Sequence, residues 1–134
     1  MKRTYKGSCH CGTVRYEADV DLAAGTLKCN CSICAKARSW LAMVPADAFR
    51  LLAGDEVLIT YQFGSRHIHH LFCRRCGIRP FGWGEDTGTG TRAYAINLAC
   101  LDDVDAAELA SAPVSYVDGR HDNWTSPPAE TRHL

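Results

Sequence analysis

Apolar and polar positions alternate over short stretches of this chain. Between Gly12 and Ala18 the residues Val14, Tyr16 and Ala18 fall on one face and Thr13, Arg15 and Glu17 on the other, which predicts a half-buried strand. Trp40 to Val44 is a continuous apolar run and predicts a short buried strand. Pro45 to Phe49 reads as one helical turn, since proline is tolerated at a helix start. Val57–Phe63 and Arg66–Phe72 are rich in β-formers around Gly64-Ser65, the pattern of a hairpin with a two-residue turn. Ile78–Trp83 and Ala93–Leu98 predict two more strands, with a polar, glycine-rich surface turn from Glu85 to Thr91 between them. Asp102–Leu109 predicts a short helix, and the polar stretch from Gly119, with Pro127-Pro128, an extended tail. Short strands dominate and no long amphipathic helix is evident, so the fold class is mainly β.

At 134 residues the expectation is a single domain over 1–134. Lys plus Arg and Asp plus Glu both number 15, and the zero net charge speaks against nucleic acid or an anionic membrane held by bulk charge. No apolar run reaches the roughly 20 residues of a membrane span. The charged start Met1-Lys2-Arg3-Thr4-Tyr5-Lys6 leads into no apolar stretch, so no secretory signal is expected and a cytoplasmic location is.

The eight cysteines change the picture. Seven fall in three clusters: Cys9-His10-Cys11, Cys29-Asn30-Cys31-Ser32-Ile33-Cys34 and Cys73-Arg74-Arg75-Cys76. Disulfide frameworks spread cysteines to close long loops, whereas clustered thiolates converge on a metal ion. Cys9/Cys11 and Cys73/Cys76 are each followed by a glycine, Gly12 and Gly77, that permits the positive φ of a metal knuckle. These two pairs make one closed four-thiolate site, a structural zinc. Cys29, Cys31 and Cys34 then form a second group with no local fourth ligand. Either it keeps an open position, as catalytic zinc does, or a histidine or Cys100 closes it. A redox dithiol at Cys31 and Cys34 is a further reading, disfavoured by the preceding Cys29 and the lack of a βαβ pattern. Cys100 stands alone among apolar neighbours, as a buried thiol would.

These segments, Gly7-Ser8-Cys9-His10-Cys11-Gly12-Thr13-Val14-Arg15-Tyr16, Cys29 to Cys34 and Phe72-Cys73-Arg74-Arg75-Cys76-Gly77, resemble the glutathione-dependent formaldehyde-activating (GFA) family, which is grouped with centromere protein V. Asn97 to Asp102 and Asp118 to Trp124 also look like the family's later segments. The resemblance implies a small β-tent fold of short antiparallel strands with two zinc ions: a structural one on Cys9, Cys11, Cys73 and Cys76, and a catalytic one on Cys29, Cys31 and Cys34. The reaction it implies is that of S-(hydroxymethyl)glutathione synthase, a carbon–sulfur lyase joining glutathione, or another low-molecular-weight thiol, to formaldehyde or a similar small aldehyde. Arg79-Pro80-Phe81 departs from the family's pattern, in which a small or aliphatic residue is more usual before the aromatic.

For such a reaction His67, His69 and His70 are candidate proton donors or a fourth ligand, their plainer reading being surface histidines on a half-exposed strand. Lys28, Lys36 and Arg38 flank the three-cysteine cluster, with Arg38 a candidate contact for a carboxylate, and Trp83 and Trp124 could wall a pocket. The competing class is a non-catalytic, zinc-stabilised binding module, in which a protein ligand closes the second site.

Overall fold

The computed structural model describes all 134 residues. In chain order its elements are β1 (Arg3–Ser8), β2 (Arg15–Val20), β3 (Thr26–Cys29), α1 (Ser32–Ala37), β4 (Leu41–Pro45), β5 (Phe49–Ala53), β6 (Leu58–Tyr61), β7 (Ile68–Cys73), β8 (Phe81–Glu85), β9 (Arg92–Asn97), α2 (Ala106–Ser111) and β10 (Val114–Val117), joined in part by single 3-10 turns. The fold is mainly β. One sheet has three strands in the order β1-β2-β5, the other seven in the order β10-β3-β4-β9-β8-β7-β6. Every pairing is antiparallel except β10 with β3.

Aromatic side chains join the two sheets. The alternation read at Val14, Tyr16 and Ala18 holds: all three are fully buried. Tyr16 on β2 lies 5.5 Å from Phe81 on β8, and Phe49 on β5 stacks on Tyr94 of β9 at 4.2 Å. Burying each such ring contributes about 2–3 kcal/mol from area alone. The Tyr16 hydroxyl donates to the Pro80 carbonyl at 3.3 Å, satisfying a polar atom that would otherwise be stranded in the core.

Several boundaries differ from the expectation. β2 begins at Arg15, because Gly12 to Val14 close a turn in which the Cys9 amide donates to the Val14 carbonyl. The hairpin of β6 and β7 exists, but Tyr61 pairs with His70 and a six-residue connection, 62–67, replaces the two-residue turn. Gln62 donates to the Arg66 carbonyl and the Arg66 amide to that of Phe63, so the loop is held by its own bonds. β8 starts at Phe81, because Ile78 is drawn into the Cys73 turn and Pro80 has no amide for a ladder. α2 starts at Ala106, where the Asp105 side chain caps the Glu108 amide. The stretch from Gly119 is not simply extended: Gly119–His121 is a 3-10 turn, and Asp118 bridges to Asn123. No helix is long and apolar enough to cross a membrane.

Candidate metal centre and adjoining cavity

Cys9 and Cys11 leave the end of β1, and Cys73 and Cys76 leave the end of β7. The four Sγ atoms lie within 4.8 Å of one another. Cys9 to Cys11 is 3.6 Å and Cys11 to Cys73 is 3.8 Å. A tetrahedron with zinc–sulfur arms of about 2.3 Å has edges of about 3.8 Å, which these two edges match. The local chain explains the convergence. Gly12, at φ 79°, donates its amide to the Cys9 carbonyl, and Gly77, at φ 77°, donates to that of Cys73. These are matching turns at both ends of the group. The Val14 amide donates to Cys9 Sγ at 3.3 Å, and Thr13 Oγ1 lies 3.2 Å from Cys11 Sγ. The Thr13 contacts bring the Cys11 thiol down to about 6, while burial pushes Cys9 up to about 11.

Cys29, Cys31 and Cys34 also bring their Sγ atoms within 4.8 Å of one another, and no histidine, carboxylate or fourth cysteine joins them. Cys29 ends β3, and Cys31 and Cys34 straddle the first turn of α1. The Cys31 amide donates to Cys29 Sγ at 3.3 Å. Sulfur hydrogen bonds from Cys29 and Cys34 hold the Cys31 thiol far below its ordinary value, and the same contacts with burial push Cys34 up. Without an ion the trio therefore favours a single thiolate, on Cys31, and a bound cation would favour ionisation of all three.

The loop carrying this trio is fixed from the far end of the sequence. Asn30, only 8% exposed, donates to Asp118 Oδ1 at 2.8 Å and accepts from the Arg120 amide at 3.0 Å. Arg120 Nε donates to the Asn30 carbonyl. Gly119 sits so close that a Cβ there would lie 2.6 Å from Cys29 Sγ and 2.7 Å from the Trp124 ring.

The trio opens on a cavity of about 470 Å³. Its wall is mostly apolar, with Leu41, Met43, Ile68, Ile78 and Phe81 among the lining residues. Its few polar groups include His70, Arg79 and Asn97, and Trp124 stands at one side. Arg79 donates to His70 Nδ1 at 3.2 Å. Burial, then the neighbouring Arg79 charge, lowers the His70 imidazole below its ordinary value.

The sequence candidates separate accordingly. His70 lines the cavity, whereas His67 is exposed and His69 stacks on Trp83 at 3.6 Å, with the Arg92 guanidinium also over that indole. Trp124 is a wall residue and Trp83 is not. Arg38 and Lys36 are exposed and do not line the cavity, and Lys28 donates to the Leu134 carbonyl. The cavity cation is Arg79, at the position already noted as a departure. Cys100 is buried, belongs to neither group, and has its thiol pushed up to about 11 by burial. Sequence reasoning passed over Asn30, Asn97 and the 118–120 turn as working parts. The available signal was that all three lie within segments of family likeness: Cys29 to Cys34, Asn97 to Asp102 and Asp118 to Trp124.

Taken together, the mainly β fold and its two cysteine groups define a small β protein able to bind metal. The chain belongs to the glutathione-dependent formaldehyde-activating enzyme family, whose pattern it matches over residues 4–118. It is also similar to a Rhodobacter sphaeroides protein of known crystal structure, with 33% identity and a TM-score of 0.68 over 82% of this chain and 99% of that one.

Proposed function

We propose that this chain is a zinc-dependent carbon–sulfur lyase of the S-(hydroxymethyl)glutathione synthase type, adding a low-molecular-weight thiol to formaldehyde or a similar small aldehyde in the cytoplasm. In this reading Cys9, Cys11, Cys73 and Cys76 hold a structural zinc and Cys29, Cys31 and Cys34 hold the catalytic one. The observation that carries it is the contrast between a four-sulfur group none of whose cysteines lines the cavity and a three-sulfur group opening on it. A zinc ion on three thiolates supplies a further position at which an incoming thiol is kept deprotonated near neutral pH.

The chain's own residues do the rest. Asn30 and the 118–120 turn keep the trio in one arrangement as substrates come and go. The apolar wall that includes Leu41, Ile78 and Phe81 lines the space beside the trio in which thiol and aldehyde would be brought together, the positioning this addition needs most. As the carbon–sulfur bond forms, the carbonyl π pair moves onto oxygen, and the proton lost by the thiol ends there. His70 accepts from Arg79 at Nδ1, which places its own proton on Nε2 and makes that nitrogen the hydrogen-bond donor for the developing oxyanion.

The test is zinc-edge spectroscopy on the fully loaded protein during a glutathione titration. One added sulfur at one of the two ions, together with thiol-dependent formaldehyde consumption above the uncatalysed rate, is the expected result. A metal shell that ignores thiol favours the binding module instead.

A further inference from the structure

The cavity holds a cation that has no carboxylate partner. Arg79 is half-buried in a largely apolar wall, and no Asp or Glu lines that cavity. Every arginine–carboxylate pair in the molecule involves another arginine: Arg3, Arg50, Arg92 or Arg132. A guanidinium has five N–H donors, and the side chain of Arg79 has one protein partner, His70 Nδ1. Its backbone is pinned as well: Asn97 Nδ2 donates to the Arg79 carbonyl at 2.8 Å, and the Asn97 amide donates to that of Pro80 at 3.2 Å. A cation held from both ends, with its donor fork left over and placed in a low-dielectric wall, is arranged for a planar anion. The space agrees: about 470 Å³ is far more than a one-carbon aldehyde fills, and it lies in the ordinary range for small-molecule sites.

We propose that Arg79, oriented by His70, is the carboxylate-recognition residue of this cavity, so that the substrate beside Cys29, Cys31 and Cys34 carries a carboxylate on an apolar body. This rests on the cavity being the substrate site. The carboxylate belongs either to the thiol or to the carbonyl partner, and the two are separated by experiment.

The probes are matched pairs, titrated into the full-length, zinc-loaded protein by calorimetry: hexanoate against hexanol, 6-mercaptohexanoate against 6-mercaptohexanol, and glyoxylate against acetaldehyde. The wild type should bind the acid of at least one pair about tenfold or more tightly than its neutral partner, the scale of a bidentate charge-assisted contact. In Arg79→Met the ratio should fall to within about twofold with zinc content unchanged, and Arg79→Lys, which keeps the charge but not the fork, should fall between. His70→Leu should weaken the preference and His70→Gln, which restores an acceptor, should recover it. A preference in the mercapto pair assigns the carboxylate to the thiol, one in the glyoxylate pair to the carbonyl partner. No preference in any pair, or a preference that survives in both Arg79 variants, overturns the proposal. The hexanoate pair contains no sulfur, so the two readings fail separately. An Arg79-dependent preference without any gain from sulfur sinks the lyase reading alone, and a gain from sulfur without that preference sinks this one alone.

Discussion

The two cysteine groups use the same sulfur chemistry on opposite plans. Cys9 and Cys11 meet Cys73 and Cys76 across nearly half the sequence, through two turns that each end on a glycine of positive φ. Cys29, Cys31 and Cys34 come from one short loop, held in place by Asn30 and the 118–120 turn. An ion in the first group would therefore tie the end of β1 to the end of β7. An ion in the second closes only a local loop, which the protein holds by hydrogen bonds in any case. Cross-linking distant segments stabilises the fold; wrapping an ion locally at the edge of a cavity leaves it exchangeable and reachable.

The contrast is broken most sharply by removing one sulfur from each group. Cys73→Ser or Cys76→Ser should abolish cooperative folding, since structural zinc sites contribute on the order of 10 kcal/mol. Cys31→Ser should lose about one ion per chain and keep most of the β signal in circular dichroism. Equal collapse of both variants would show that the groups do not divide the work in this way. A chelator should likewise remove the ion of the three-cysteine group first, followed by metal analysis against time.

How far this division was legible follows from sequence distance. Cysteine spacing is local information, and the four-plus-three grouping could be read from it. β2 was legible because one of its faces is buried, which writes Val14, Tyr16 and Ala18 into the pattern. β1 was missed because its outward residues are polar and only Tyr5 and Gly7 are buried. β3 and β10 are four residues each and gain their place by pairing in parallel across the chain, and α1 is too short for any period to show. The cavity was legible only in part: His70 and Trp124 were candidates, whereas the roles of Arg79 and Asn97 at its wall were not evident. His70, Arg79 and Asn97 are brought together by the pairing of His70 with Gly82 and of Asn97 with Leu41, and Trp124 comes in from the far end of the chain beside Gly119. Composition and spacing carry no record of such registers.

Glycines sharpen the comparison at lower cost. Gly119→Ala puts a methyl group 2.6 Å from Cys29 Sγ, so the loop must shift. The expected result is about 1–3 kcal/mol of destabilisation with reduced metal content at the three-cysteine group only. Gly12→Ala meets nothing within 4 Å, and its penalty is the positive φ alone, about 1 kcal/mol, with both ions kept. Thermal melts and metal stoichiometry on the pair read both effects. A Gly119→Ala protein with full metal content would mean that the 118–120 turn does not position the trio.

Cys100 is the control, a buried thiol outside both groups. Cys100→Ala should cost roughly 1 kcal/mol and leave both ions in place. With its thiol pushed up to about 11, Cys100 should also resist alkylation in the folded, loaded protein at neutral pH. Mass spectrometry after iodoacetamide treatment checks the second point, and rapid labelling of Cys100 would contradict it.

The smallest expected effect concerns His70 and runs through pH. Burial, and then the Arg79 guanidinium, hold this imidazole below the ordinary value of 6.5, so the folded chain keeps it neutral where the unfolded chain takes up a proton. A group whose folded value is depressed in this way makes the unfolded state the better proton binder below about pH 6.5, and stability then falls as pH falls. The His70 contribution is therefore complete above about 6.5 and is lost progressively below it. The cysteine ligands also take up protons in acid, and Cys31 acts electrostatically on His70, so the difference between wild type and His70→Gln reports the imidazole together with its coupling to Cys31. Urea midpoints of the zinc-loaded proteins at about pH 7.5 and about pH 5.5 should show the wild type losing more stability on acidification than His70→Gln. Identical losses would mean that His70 titrates as an ordinary exposed histidine. Its hydrogen bond to Arg79 would then not survive in solution, and the orientation assigned to both side chains at the cavity wall would fall with it.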